Sequence, residues 1–178
     1  LLMLPVSSRA GAFTPFLDCL FTATSSTCVT GLVVHDTYAY WSAFGQCVIL
    51  ALIQIGGLGL VTLTTFFNIA IGRKLGLRGM HLAQESVAST GPDINQLMKV
   101  VMITALTVET AGALLLATVF VPEFGAEGIF ISVFTSVSAF CNAGFDLMGA
   151  AGPFSSLTNY VGDPLVCGTI VGLIVAGG

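Results

Sequence analysis

Long apolar runs alternate with short polar breaks along this chain, and the order of the breaks predicts its elements. No charged residue occurs from Thr37 to Gly72. About 20 apolar residues cross the hydrocarbon core of a bilayer, so a tilted or overlong membrane helix is expected here, starting near Trp41, an aromatic suited to the headgroup level. A second span is expected from Leu97 to Val121, interrupted only by Lys99 near its start and Glu109 at its middle, and a third from near Leu165 to Gly178. Two further apolar stretches, Thr14 to Thr30 and Gly128 to Phe145, are dense in Ser and Thr, too short to cross with their polar ends included, and each runs into a Gly-containing loop. Irregular backbone at membrane depth survives only where it is buried in protein or lines a watery cavity. Both stretches therefore read as re-entrant segments, a short helix followed by a loop.

Composition places the chain in lipid. Only 8% of its residues are charged and 55% are hydrophobic, against roughly 25% charged in a soluble domain. A mean hydropathy of +0.98 cannot be hidden inside a globule of this length, which still has a large surface to cover with polar groups. A soluble enzyme is excluded on that ground, and a net charge of −4 offers no basic patch for nucleic acid. Cys19, Cys28, Cys47, Cys141 and Cys167 show no CxxC spacing and read as small apolar fillers rather than a disulfide framework or zinc site. Four of the five Lys/Arg residues are grouped: Arg73, Lys74 and Arg78 between the first two spans and Lys99 at the entry of the second. The positive-inside tendency then puts residues 72–96 in the cytoplasm, with Thr90-Gly91-Pro92-Asp93 as a turn, and Glu123, Glu127, Asp146 and Asp163 outside. The first residues, Leu1 to Pro5, carry no initiator Met or basic region and are expected to be a cut end rather than a signal peptide.

An internal repeat carries the chemistry. Shifted by 113 residues, Phe21-Thr-Ala-Thr-Ser-Ser-Thr-Cys-Val-Thr-Gly-Leu32 aligns with Phe134-Thr-Ser-Val-Ser-Ala-Phe-Cys-Asn-Ala-Gly-Phe145, with five of twelve positions identical. After an eight-residue insertion, residues 48–57 align with 169–178, again with five identities, including the twin glycines. The repeat unit is span, re-entrant loop, span. Both loops enter from the outer side, so the copies are parallel and can surround a shared axis, unlike inverted transporter repeats. A potassium ion leaving water needs a ring of oxygens, which backbone carbonyls supply without fixed charge. Gly31 and Gly144, each three residues after a repeated Cys, suit the conformations that such a loop requires. The partly negative C-terminal end of each short helix would face the ion.

Cys28-Val-Thr-Gly-Leu32, Ser138-Ala-Phe-Cys-Asn-Ala-Gly-Phe145 and Gln54-Ile-Gly-Gly-Leu-Gly59 resemble the first filter, second filter and following-helix motifs of the Trk/Ktr/HKT potassium transporters, bacterial Ktr membrane subunits above all. The resemblance covers essentially the whole chain. It implies an all-α membrane protein with two of the four units of one potassium-channel-like pore, both incomplete: a first unit in residues 1–72, a cytoplasmic loop in 73–96 and a second unit in 97–178. It implies filter backbone at Thr27, Cys28, Val29, Thr30 and Gly31 and at Cys141, Asn142, Ala143 and Gly144. It further implies K+ as the transported ion, Na+ as a second ion, a homodimer, a cytosolic nucleotide-binding regulatory ring and a multi-pass place in the cell membrane. In sodium-favouring relatives a Ser can replace the first-filter Gly, so Gly31 argues for potassium.

Other residues keep two readings. Glu109 in mid-span is either functional or a protonated, hydrogen-bonded structural group. Gly56, Gly57 and Gly59 either allow close helix packing or supply a flexible point. Arg73, Lys74 and Arg78 set topology or dock a cytosolic partner, and His35 and Asp36 are expected at the outer mouth of the first loop. The competing function is a transporter binding an organic anion or amino acid at broken helices; parallel repeats and the absence of an intramembrane Arg or Lys disfavour it. A structural membrane subunit would leave the repeated loops unexplained. The topology predicts that a membrane-impermeant thiol reagent reaches a cysteine placed at Asn159 of the full-length protein from outside, and one at Leu82 only from inside; reversed access would overturn it.

Overall fold

The computed structural model describes residues 1–59, 94–150, 152 and 154–178. The proposed cytoplasmic loop with its basic residues and turn lies almost wholly outside the described residues. Among the described residues the chain is helical, with one isolated backbone bridge, between Ser8 and Trp41. Its helices are α1 (Phe16–Thr27), α2 (Thr37–Tyr40), α3 (Ala43–Leu58), α4 (Ile94–Phe124), α5 (Glu127–Phe140) and α6 (Pro164–Gly177). Short 3-10 turns sit at Pro5–Ser7, Met148–Ala150 and Ser156–Tyr160. Contacts divide the chain into two compact units, one of Leu1–Gly57 with Val108–Gly178 and one of Leu58–Thr107.

Local chemistry explains where the helices begin. Pro15, with its fixed φ and missing N–H, precedes α1, and Asp18 in the first turn complements the helix dipole. The Asp36 carboxylate accepts the N–H groups of Tyr38 and Ala39 to cap α2, and the Ser42 hydroxyl accepts the Gly45 N–H at the start of α3. Asp163 caps α6 through the N–H groups of Leu165 and Val166, with Pro164 at the first helical position.

Length separates these helices. Lys99–Phe124 is the one helical stretch among the described residues that is long and apolar enough to cross a membrane; its 26 residues rise roughly 39 Å, against a core of about 30 Å. The 12 residues of α1 and 14 of α5 rise only about 18 and 21 Å. α3 starts two residues after Trp41 and is followed by Gly59 at φ +77°, while α4 extends three residues beyond each end of the expected second span.

The core of the first unit gathers Trp41, Ile49, Ile53, Leu116, Phe120, Ile131, Phe134 and Leu147 at or near zero exposure. Large apolar side chains also point outward, Leu17 on α1, Leu114 on α4 and Val175 on α6 among them. Helices apolar on every side suit a lipid surround. On the side where α5 begins, the Tyr160 hydroxyl donates to Glu123 at 2.5 Å and the Tyr160 ring packs edge-on against Phe120. Burial, with the Glu123 carboxylate second, pushes the Tyr160 hydroxyl above its ordinary range, so it remains a donor.

Small residues let α3 approach the ends of the two short helices. A Cβ on Gly56 would run into the Thr27 carbonyl, and one on Gly57 into the Cys141 side chain. At Gly168 of α6 a Cβ would meet nothing within 4 Å. Gly56→Ala is expected to destabilise the full-length protein by about 1–3 kcal/mol through overpacking, seen as a lower unfolding midpoint in detergent. Gly168→Ala should leave the midpoint unchanged or raise it.

Candidate functional site

Each short helix ends the same way. In α1 the Cys28 N–H donates to the Thr24 carbonyl at 2.8 Å, Val29 N–H to Ser26 at 3.4 Å and Thr30 N–H to Ser25 at 3.0 Å. In α5, with every residue shifted by 113 positions, Cys141 donates to Val137 at 2.9 Å, Asn142 to Ala139 at 3.0 Å and Ala143 to Ser138 at 2.8 Å. The last two bonds of each set are those of a Schellman motif, in which the residue after the C-cap turns left-handed and the next two N–H groups reach back into the helix. Accordingly Val29 and Asn142 have φ of 57° and 58°, and Gly31 and Gly144 two residues on both have φ of 73°. Glycine takes this conformation without penalty and Asn tolerates it. A β-branched Val there is a true outlier.

The two loops meet at their glycines. A Cβ on Gly31 would lie 2.6 Å from the Ala143 carbonyl oxygen and 3.4 Å from the Gly144 Cα, and one on Gly144 would lie 3.6 Å from the Gly31 Cα. The structure thus brings together residues of Thr27–Gly31 and Cys141–Gly144 that are far apart in sequence.

Side chains behind the loops differ between the copies. The Ser25 hydroxyl donates to the Leu32 carbonyl at 2.7 Å and pairs with the Thr30 hydroxyl at 2.9 Å. For its counterpart Ser138, the position equivalent to Thr30 is Ala143, and the Ser138 and Thr135 hydroxyls are buried without a protein partner. Both line a cavity of about 290 Å³, which Asn142 and Asp146 also border.

The charged and titratable side chains near the loops are held by local partners. Asp36, besides capping α2, accepts the Phe154 N–H at 2.8 Å, and Gly149 packs directly against its carboxylate. His35 pairs with Asp18 at 3.0 Å and stacks on Tyr40 with 3.9 Å between centroids. Tyr38 donates to Glu127 while the Arg9 guanidinium covers its ring. Among the described residues no group of three His, Cys, Asp or Glu could hold a metal. What the loops offer a cation is backbone carbonyl oxygen and a few hydroxyls.

Glu109 is 5% exposed and accepts a 2.9 Å hydrogen bond from the Gln54 side chain. Its own carbonyl accepts from Ser136. Gln54 and Ser136 were given no role by sequence reasoning; the signal available was Gln54 itself, a polar side chain on an otherwise apolar turn of α3 beside the twin glycines.

The described residues thus form a mostly apolar helical unit in which two matched glycine loops meet edge to edge. The sequence profile of the TrkH family, described as "Cation transport protein", matches residues 3–178, and the chain belongs to that family. It is 42% identical over its whole length to Ktr system potassium uptake protein B of Bacillus subtilis (strain 168), covering 39% of that protein. It is 40% identical to potassium/sodium uptake protein NtpJ of Enterococcus hirae, covering 39% of it, and 40% identical to Ktr system potassium uptake protein B of Vibrio alginolyticus, covering 38%. Both of these matches also take in the whole chain. The chain thus spans about two fifths of the length of these curated relatives. Their names are those of transporters, not enzymes.

Asp36 joins the segment after the first loop to the Phe154 region 118 residues away. Asp36→Ala removes the α2 cap and this tie together, and a loss of about 1–3 kcal/mol is expected from chemical denaturation of the full-length protein. Asp36→Asn keeps an acceptor for the cap but turns an NH2 toward the Phe154 N–H, so its effect should be smaller but measurable.

Proposed function

We propose that the chain contributes two of four repeat units to a potassium-conducting pore, with Thr27–Gly31 and Cys141–Gly144 as two segments of a carbonyl-lined selectivity filter. The observation that carries this reading is the matched backbone of the two loops, left-handed at the same two positions of each and in contact at Gly31 and Gly144. The Schellman bonds turn the loop N–H groups back into the helix ends, which leaves carbonyl oxygens as the groups available to an ion. A filter of this kind replaces the hydration shell of K+ with neutral oxygens. The C-terminal ends of α1 and α5 lead into the loops and add their partly negative dipole ends. α1 and α5 are too short to cross, which suits segments that enter and leave on one side.

The names of the Bacillus and Vibrio relatives support potassium uptake, and "Ktr system" supports a pore subunit that works with other components. The potassium/sodium name of the Enterococcus relative supports sodium as a second ion. A homodimer, a nucleotide-binding regulatory ring and a multi-pass place in the cell membrane belong to the same proposal.

Full-length protein should restore growth of an uptake-deficient host at low potassium; transport of an amino acid without potassium flux would remove the reading. Gly31→Ser is the sharper test. A side chain at φ 73° and so near Ala143 strains the loop by about 1–3 kcal/mol and adds a hydroxyl to the pathway. In liposomes this variant should discriminate less between potassium and sodium while passing comparable total cation. Unchanged discrimination in a folded variant would mean that this loop is not the filter.

A further inference from the structure

Glu109 stands where three helices of the unit are tied together. Its side chain accepts from Gln54 of α3, and its backbone carbonyl accepts from the buried Ser136 hydroxyl of α5 at 2.7 Å. Gln54 and Gly57, three residues apart, share a face of α3, and Gly57 rests against Cys141, the C-cap of α5. The neighbouring Gly56 rests against Thr27, the last residue of α1. The circuit closes: Glu109 holds α3 through Gln54 and α5 through Ser136, and α3 in turn braces the bases of both loops.

We propose that Glu109 is a positioning residue for ion selection: through its hydrogen bond to Gln54 it sets the rotation of α3, and so the spacing of the loops at Thr27–Gly31 and Cys141–Gly144. The seats of Gly56 and Gly57 are too close for any side chain and so stop α3 from turning by a whole residue, but bare glycines leave it free to swing through smaller angles. A hydrogen bond one turn away removes that freedom, and the buried Glu109 carboxyl has little water to turn to in its place. The role needs an acceptor oxygen at position 109 and not a negative charge. This inference rests on the loops being the filter.

The test is a set of full-length variants compared for potassium over sodium discrimination in liposome flux, each first checked for intact folding by thermal midpoint and elution volume. Glu109→Leu and Gln54→Leu should each lower discrimination, by roughly fivefold for one lost hydrogen bond, and the double variant should be no worse than either. Glu109→Gln keeps an acceptor oxygen and should stay within about twofold of the parent. The exchanged pair Gln54→Glu with Glu109→Gln reverses donor and acceptor and should recover most of the loss. Unchanged discrimination in Glu109→Leu and Gln54→Leu would overturn the proposal. So would a Glu109→Gln variant as impaired as Glu109→Leu, since that would make the charge or proton the functional feature. Gly31→Ser is measured alongside: if it lowers discrimination and the Leu variants do not, only the positioning role fails, and if it too is without effect the filter reading fails and takes this inference with it.

Discussion

A chain that leaves a helix in apolar surroundings has to find partners for its amide groups, because lipid and packed side chains offer none. Two Schellman motifs meet that demand here, drawing the N–H groups of Val29 and Thr30, and of Asn142 and Ala143, back onto the ends of α1 and α5. The remaining features follow. The left-handed turn comes at once after the C-cap, a second left-handed residue two positions later needs glycine, and the bare Gly31 and Gly144 then permit contact between the loops. Val29 bears the cost of this geometry in the first copy, about 1–2 kcal/mol for a left-handed residue with a Cβ. Strain of that kind persists only where the surroundings over-determine it, and here α3 on one side and the neighbouring loop on the other supply the constraint.

Packing around the loops uses absence more than bulk. Gly56, Gly57 and Gly112 each sit where a Cβ would collide with a neighbouring helix or loop, as small residues do at helix contacts in lipid. Polar ties lock the arrangement at two levels. Gln54, Glu109 and Ser136 join α3, α4 and α5 in the body of the unit, while Asp36 with Phe154, and Tyr160 with Glu123, join the start of α2 and the end of α4 to the segment before α6. The matched loops thus sit in unmatched surroundings, with Ser25 paired to Thr30 in one copy and Ser138 beside Ala143 in the other.

Much of this was legible in the sequence. Gly31 recurs at Gly144 because a left-handed backbone in close contact with the other loop restricts that position, while the recurrence of Cys28 at Cys141 marks the C-cap of each short helix without a backbone reason for the residue type. The described helices fall within uncharged or sparsely charged runs, and the start of α6 lies one residue before the expected Leu165 because Asp163 sets its cap, while the four-residue α2 capped by Asp36 gave no signal. The left-handed turn at Val29 was hidden, since nothing in a β-branched residue suggests it and only its alignment with Asn142 hints at one. The Gln54 to Glu109 bond, 55 residues long in sequence, and the Asp36 to Phe154 bond were also hidden. Such partners are chosen by the fold. The readings of Glu109 and of the glycines were open in sequence, and the geometry now shows Glu109 hydrogen-bonded, Gly56 and Gly57 closely packed, and Gly59 left-handed at φ +77°.

The claim on which the rest turns is that the two loops coordinate a potassium-like ion with backbone oxygen. Rubidium mimics potassium and scatters anomalously, so crystals of the full-length protein soaked in rubidium give the most direct measurement. Anomalous density is expected along the line where the Gly31 and Gly144 loops face each other, within coordination distance of their carbonyl oxygens, and diminished in Gly31→Ser. Rubidium density confined to acidic side chains elsewhere, with none beside these loops at saturating concentration, would contradict the claim.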